Sequence, residues 1–274
     1  MTRLKPNLYF SDEIIDILSL TRINFQFGGN IIESQKIELS VVLPCYNENE
    51  NLRSLIDSYL LALGTRQNVE VIFVDNGSSD NSHKLLIELL AIKNDPRLKM
   101  IKVEVNQGYG FGILSGLRAC KGQFLSWSHA DQQCAPEDVF RIFDLLKKSQ
   151  NPQKSFGKGL RVNDRGRAAL LTQIQEFLSK IILGQIMIEI NAQPKVFHRN
   201  LFESFRMPPN GYELDVYAYY KAIINKYDIV SENVIFHDRK HGHSKWAYSL
   251  PSKLKQIFRN FKYLIFLRTH REQL

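Results

Sequence analysis

The sequence predicts an α/β fold centred on a mostly parallel, doubly wound sheet flanked by helices. Two observations carry this expectation. Between Leu39 and Lys148, four apolar strand-like runs alternate with four helical patterns, the succession that builds a parallel sheet with helices on its faces. The first run, Leu39–Cys45, is apolar and β-branched without alternation, as expected of a strand buried on both faces.

The elements follow in order. After Leu39–Cys45, the residues Leu52, Leu55, Ile56, Tyr59, Leu60 and Leu63 recur at helix spacing. Val69–Val74 is the second strand, and its helix starts near Asp80 and buries Leu85, Leu86, Leu89 and Leu90. Lys99–Val105 is the third strand, followed by a glycine-rich turn and a helix reaching Cys120. Gln123–Ser128 is the fourth. The next helix opens with Pro136, Glu137 and Asp138 and closes with Lys147 and Lys148, charges placed as the helix dipole favours. Beyond it the pattern weakens. Residues 151–167 read as a ligand-covering loop, 170–190 as helical and then strand-like, and 212–225 as a helix.

The 274 residues divide into an N-terminal extension, 1–38, a main domain, 39–248, and a C-terminal helix, 249–274. A hydrophobic share of 44% supplies a sizeable core. Lys and Arg outnumber Asp and Glu by 36 to 28, a net charge of +8, which favours anionic partners without choosing among them. Cys45, Cys120 and Cys134 lack disulfide or metal spacing, so a reducing, cytoplasmic setting is expected. No apolar run approaches the roughly 20 residues needed to span a bilayer. In the tail, Leu254, Ile257, Phe258, Phe261, Leu264 and Ile265 share one helical face, with Lys253, Lys255, Arg259, Lys262 and Arg268 around it. That helix can lie at the cytoplasmic face of a membrane or pack on its own domain.

In doubly wound sheets, ligands bind at the carboxyl ends of the strands. Here three of those loops carry acidic, amide and ring groups: Pro44-Cys45-Tyr46-Asn47-Glu48, Asp75-Asn76-Gly77-Ser78-Ser79-Asp80 and His129-Ala130-Asp131-Gln132-Gln133. Such groups suit a nucleoside and a metal-bound phosphate. With Asn106-Gln107-Gly108-Tyr109-Gly110 and the later Arg239-Lys240-His241-Gly242-His243-Ser244-Lys245, these motifs make the chain resemble family-2 glycosyltransferases, especially the polyprenol (dolichol) phosphate mannosyl- and glucosyltransferases. The resemblance implies the GT-A nucleotide-diphospho-sugar transferase fold. It further implies an inverting transfer of a sugar from a nucleotide-diphosphate donor to a polyprenyl phosphate or a cell-surface glycan precursor.

By the same resemblance Pro44, Tyr46 and Glu48 line the nucleoside pocket, Phe73 and Asp75 lie beside the base, and Ala130 sits in the donor-binding acidic motif. Asn76 stands where the family commonly has Asp; an amide both donates and accepts, so the base is left open. Arg161 matches a Gly-x-Arg that contacts phosphate, and Arg239 and Lys245 an Arg-x5-Lys pattern. His129, Asp131 and Gln133 occupy the metal-motif positions, and an extended segment would turn all three to one side. His129 replaces a carboxylate. Imidazole suits later transition metals better than Mg2+, so a divalent site preferring Mn2+ over Mg2+ is expected, with a His129 that contacts the donor, or a silent nucleotide-sugar-binding protein, as alternatives. Asp131 and Asp215 are the candidate catalytic carboxylates; Asp215 would serve as base if the acceptor is a hydroxyl, whereas a phosphate acceptor needs none. Charge alone would admit a nucleic acid, but acidic strand-end loops argue against a polyanion there.

Overall fold

The structure, a computed structural model, describes residues 36–163, 167–239 and 250–274. All four predicted alternations are present: β1 (Leu39–Cys45), α1 (Leu52–Leu63), β2 (Val69–Asn76), α2 (Ser82–Lys93), β3 (Leu98–Val103), α3 (Tyr109–Ala119), β4 (Phe124–Trp127) and α4 (Pro136–Lys148). Just before α2, Asp80 makes an Asx turn, its Oδ1 accepting the Ser82 N–H at 2.9 Å. The second half adds β5 (Ser155–Arg161), α5 (Arg167–Leu183), β6 (Lys195–His198), α6 (Arg199–Glu203), α7 (Leu214–Ile224), β7 (Asp228–Val234) and α8 (Leu250–Thr269).

These strands form one seven-stranded sheet in the order β3-β2-β1-β4-β6-β5-β7. β3, β2, β1 and β4 run parallel, β6 is antiparallel to both β4 and β5, and β7 is parallel to β5. Alternate residues of each central strand feed two cores. Val42, Ile72, Val74 and Trp127 pack with α3 and α7. Val41, Leu43, Val71 and Phe73 pack with α1, α2 and α4. Burial on both faces explains why these runs are largely apolar.

Two expectations are corrected. Within 151–167, taken for a loop, Ser155–Arg161 is a strand paired on both edges. Its glycines are packing devices: a Cβ at Gly157 would meet Ile142 and Leu146 side-chain carbons at 2.4 Å. The later part of 170–190 is not a strand; helix runs to Leu183 and turns follow, and the strand begins at Lys195.

Residues 36–274 form one compact unit. The second half of α8 belongs to its core, since Leu264 and Leu267 are buried, each such burial being worth about 1.5–3 kcal/mol. Arg259 of the same helix pairs with Glu213, its Nη2 donating to Oε2 at 2.7 Å. Phe258 and Ile265, expected on the same face as Leu264, are instead exposed. Cys45, Cys120 and Cys134 are all free and buried. Among the described residues, no helix is long and apolar enough to cross a membrane.

Candidate active site

Because β1, β2 and β4 are parallel neighbours, the three acidic loops leave the same edge of the sheet. The first two are stitched together by Asn47, held in the left-handed region at φ 57°. Its N–H donates to Ser78 Oγ at 3.1 Å and its Oδ1 accepts the Ser79 N–H at 2.8 Å. Pro44, Tyr46 and Glu48 beside it are half-buried. Glu48 Oε2 accepts from Asn51 Nδ2 at 2.6 Å. Burial raises its carboxyl above the usual range, Asn51 opposes this, and Asp131, Arg239 and Asp80 also act on it. One carboxylate thus feels the β2 loop, the β4 loop and the later basic segment, which places all of them around a common space.

Asp131 is the centre of that space. Its carboxylate is 4% exposed and lies 2.7 Å from Arg239 Nη2. Its Oδ1 also accepts the Gln133 N–H at 3.2 Å. Gln132, between them, takes φ 60°, so the segment turns instead of extending. The expected same-side projection of Gln133 therefore fails. Its amide is engaged elsewhere: Nε2 donates to the His237 carbonyl at 3.0 Å and Oε1 accepts from Arg239 Nε at 3.2 Å. Ala130, just before Asp131 in the same loop, is buried.

His129 stands among aromatic rings, with centroids 6.1 Å from both Tyr109 and Phe236. Burial lowers its pKa, with Asp131 and Asp215 opposing that shift, so the imidazole is held neutral and competent as a ligand. Among the described residues no cluster of three or more His, Cys, Asp or Glu could hold a metal. A neutral imidazole beside one carboxylate nevertheless fits a divalent ion whose other ligands come from a diphosphate. His129 and Asp131 would hold it, without Gln133 as placed.

The other predicted positions divide. Asp75 is buried and turned to its own loop, Oδ1 accepting the Ser78 N–H at 3.0 Å and Oδ2 lying 2.8 Å from His83 Nδ1. Asn76 donates to the Gly108 carbonyl at 3.0 Å, and its buried Oδ1 has no partner. Phe73 is corrected: it is 0% exposed within the core beside α1 and α2, so it supports the loop from behind and cannot touch a base. Arg161 reaches the site floor, its guanidinium over the Phe236 ring and its Nε paired with Glu189. Its Nη2 is buried without a partner. Asp215 is buried; its Oδ1 accepts from Gln193 Nε2 and Trp127 Nε1. Lys245 lies outside the described residues.

Sequence reading missed the Tyr109–Tyr212 stack, whose ring centroids are 5.0 Å apart. The signal was in the glycines around Tyr109. A Cβ on Gly110 would come within 2.6 Å of the Pro209 and Gly211 carbonyl oxygens. Only a glycine lets the 209–211 loop approach α3 that closely and bring Tyr212 over Tyr109. Phe236, Glu189 and Gln193 were missed as well, because their loops carry no motif.

The family model described as glycosyl transferase family 2 matches residues 40–195. The chain belongs to glycosyl transferase family 2. The matched stretch carries the three acidic loops, Tyr109 and Arg161 of this family-2 chain. Similar proteins include undecaprenyl-phosphate 4-deoxy-4-formamido-L-arabinose transferases. That of Yersinia enterocolitica is 38% identical over 120 residues, covering 42% of this chain and 36% of the relative. That of Yersinia pestis is 39% identical over 114 residues, covering 40% and 34%. The match therefore spans about a third of these relatives' length. Among solved structures, glucosyl-3-phosphoglycerate synthase from Mycobacterium tuberculosis, in complex with Mn2+, UDP and phosphoglyceric acid, has a TM-score of 0.66 at 20% identity. That alignment covers 84% of this chain and 78% of the synthase, and establishes the GT-A fold.

Proposed function

We propose that this family-2 chain is an inverting glycosyltransferase that moves a sugar from a nucleoside-diphosphate donor to a polyprenyl phosphate. The carrying observation is the buried Asp131 at the carboxyl end of β4, facing Arg239 at 2.7 Å within reach of Glu48 and His129. A carboxylate, a guanidinium and a neutral imidazole around one space are the groups a diphosphate and its counter-cation need. The relatives' transfer to undecaprenyl phosphate supports the lipid acceptor over a glycan precursor.

In this reading Pro44, Tyr46 and Glu48 hold the nucleoside, and Asp75 and Asn76 close the base end. Arg239 and Lys245 bind the diphosphate. Arg161, whose Nη2 is buried without a partner, takes a phosphate oxygen in the same reading. The acceptor phosphate oxygen attacks the anomeric carbon as that carbon's bond to the diphosphate oxygen breaks, and the nucleoside diphosphate leaves with the bonding electrons. A divalent cation held by His129 and Asp131, Mn2+ in preference to Mg2+, would stabilise the charge growing on that leaving group. A phosphate acceptor is already an anion, so Asp215 holds the floor of the site rather than removing a proton.

Contact with the cytoplasmic face of a membrane is part of the same reading. Phe258 and Ile265 are exposed on α8, with the Lys262 ammonium 4.7 Å from the Phe258 ring centroid and Arg268 close by along the helix. Liposome flotation of Phe258→Glu and Ile265→Glu variants tests it, and unchanged flotation would remove the contact.

The function is tested by nucleotide release from a panel of UDP-, GDP- and dTDP-sugars, with Mn2+, Mg2+ or EDTA, with and without polyprenyl phosphate. Release from one donor, accelerated by the lipid and abolished by EDTA, is expected. Donor binding without release in every well would overturn transfer to a polyprenyl phosphate.

A further inference from the structure

The segment that carries Arg239 is strapped to the site at defined points. Phe236 exchanges two hydrogen bonds with Asn163, its N–H donating to Oδ1 at 3.0 Å and its carbonyl accepting from Nδ2 at 2.8 Å. His237 exchanges two more with Gln133, its N–H donating to the Gln133 carbonyl at 2.9 Å and its own carbonyl accepting from Nε2. Arg239 then lays its guanidinium against Asp131 Oδ2 and Gln133 Oε1. Asp131 is one of the two groups that fit a metal, so the guanidinium engages a carboxylate that a cation would also need.

We propose that Arg239 holds Asp131 in the donor-free enzyme and passes it to the metal when the donor arrives. The inference rests on the transferase reading. A buried carboxylate without a counter-charge is costly, and the guanidinium removes that cost in a fixed fork geometry. Metal and Arg239 would therefore compete for one carboxylate. An incoming diphosphate offers the guanidinium a new anion, and so frees Asp131 for the metal. Donor and metal then bind with positive coupling, since each favours the arrangement the other needs. Gln133, read from the sequence as a ligand, serves as the anchor that returns the arm.

The test reads Mn2+ binding, without donor, by the electron paramagnetic resonance of free Mn2+. Arg239 is part-exposed at the end of the strap, so its substitution leaves both cores intact. Arg239→Gln should bind Mn2+ about tenfold more tightly than the wild-type protein, the order expected when a charge-assisted pair is removed. Arg239→Lys should fall between them, because an ammonium keeps the charge and loses the fork. Asn163→Ala, which loosens the strap without touching Asp131, should also tighten Mn2+ binding. Equal or weaker binding by Arg239→Gln, or no Mn2+ bound by either protein, would overturn the competition. Nucleotide release by the wild-type protein is measured separately, so loss of this inference leaves the transferase reading standing.

Discussion

Gln193 Nε2 donates to Asp215 Oδ1 at 2.7 Å, and Trp127 Nε1 donates to the same oxygen at 3.2 Å. Lys195 Nζ lies 3.8 Å away, 0% exposed, and also donates to the Ile190 and Ala192 carbonyls. Asp215 is therefore the counter-charge for a buried lysine, joining β4, β6 and α7 below the site. Asp215→Ala would leave Lys195 unpaired, a change that typically costs about 3–5 kcal/mol. Asp215→Asn should cost less, because an amide oxygen still accepts both hydrogen bonds. Urea unfolding of the two variants checks this order. Turnover retained by Asp215→Asn below its melting temperature would agree with a phosphate acceptor, and turnover lost in a stable variant would restore Asp215 as a base.

Asp131→Asn should behave in the opposite way. The variant keeps the shape and loses the charge that Arg239 and a metal share. Turnover should fall about 100- to 1000-fold, the usual scale for removing one electrostatic contact to a transition state. Melting temperature should change little. A variant that turns over within a few-fold of wild type would move the catalytic centre elsewhere.

The sequence disclosed the half of the fold in which chemistry and periodicity agree. β1, β2 and β4 are buried on both faces and largely apolar, and α4 has its charges in dipole order, so each announces itself; β3, at the sheet edge with Lys102 exposed, shows only through its place in the alternation. β5 and β6 did not, because Lys158 and Lys195 are 1% and 0% exposed inside strands and read from sequence as surface. β7 hid for another reason: only Val234 of its seven residues is fully buried, so its pattern is weak. In the site, the acidic loops were legible because parallel strands deliver their carboxyl ends to one edge. The Asp131–Arg239 pair and the Tyr109–Tyr212 stack were not, since each joins segments far apart in sequence that only the closed sheet brings together.

Lys158 makes a prediction of its own. Burial lowers its pKa to about 7, with Lys195 adding to the shift, whereas the unfolded chain keeps the ordinary value of 10.5. Between those values the unfolded chain holds a proton that the folded chain has lost. Stability therefore rises as pH climbs from about 7 towards 10. Lys195, lowered to about 8, adds to the same slope. Lys158→Met should flatten the rise and gain most at neutral or lower pH, where the native lysine must be charged. Thermal melts of both proteins from about pH 6 to about pH 10, a range that covers the window between the folded and unfolded values, measure the difference. Parallel curves would place the Lys158 proton outside this linkage.

Gly110→Ala addresses the aromatic stack. The added carbon meets two carbonyl oxygens at 2.6 Å, so the 209–211 loop must shift, carrying Tyr212 away from Tyr109. Overpacking of this kind costs about 1–3 kcal/mol. The expected kinetic result is a raised KM at a site that keeps its Asp131 and Arg239. A destabilised variant with an unchanged KM would make the stack a matter of packing alone.

His129→Asp tests the metal preference at its source. Burial keeps the imidazole neutral, so the native pair of His129 and Asp131 brings one negative charge to a divalent ion. The substitution brings two, both as oxygen. Mg2+ favours oxygen ligands, while Mn2+ accepts nitrogen as well. The variant should therefore gain activity with Mg2+ relative to Mn2+, as a ratio of kcat/KM values measured on one donor. The second carboxylate also faces Arg161, which acts on His129 in the native protein, and that cation offsets part of the cost of burying it. If the Mg2+ to Mn2+ ratio stays fixed while turnover survives, His129 is not a ligand, and its place between Tyr109 and Phe236 then makes it part of the wall that faces the sugar.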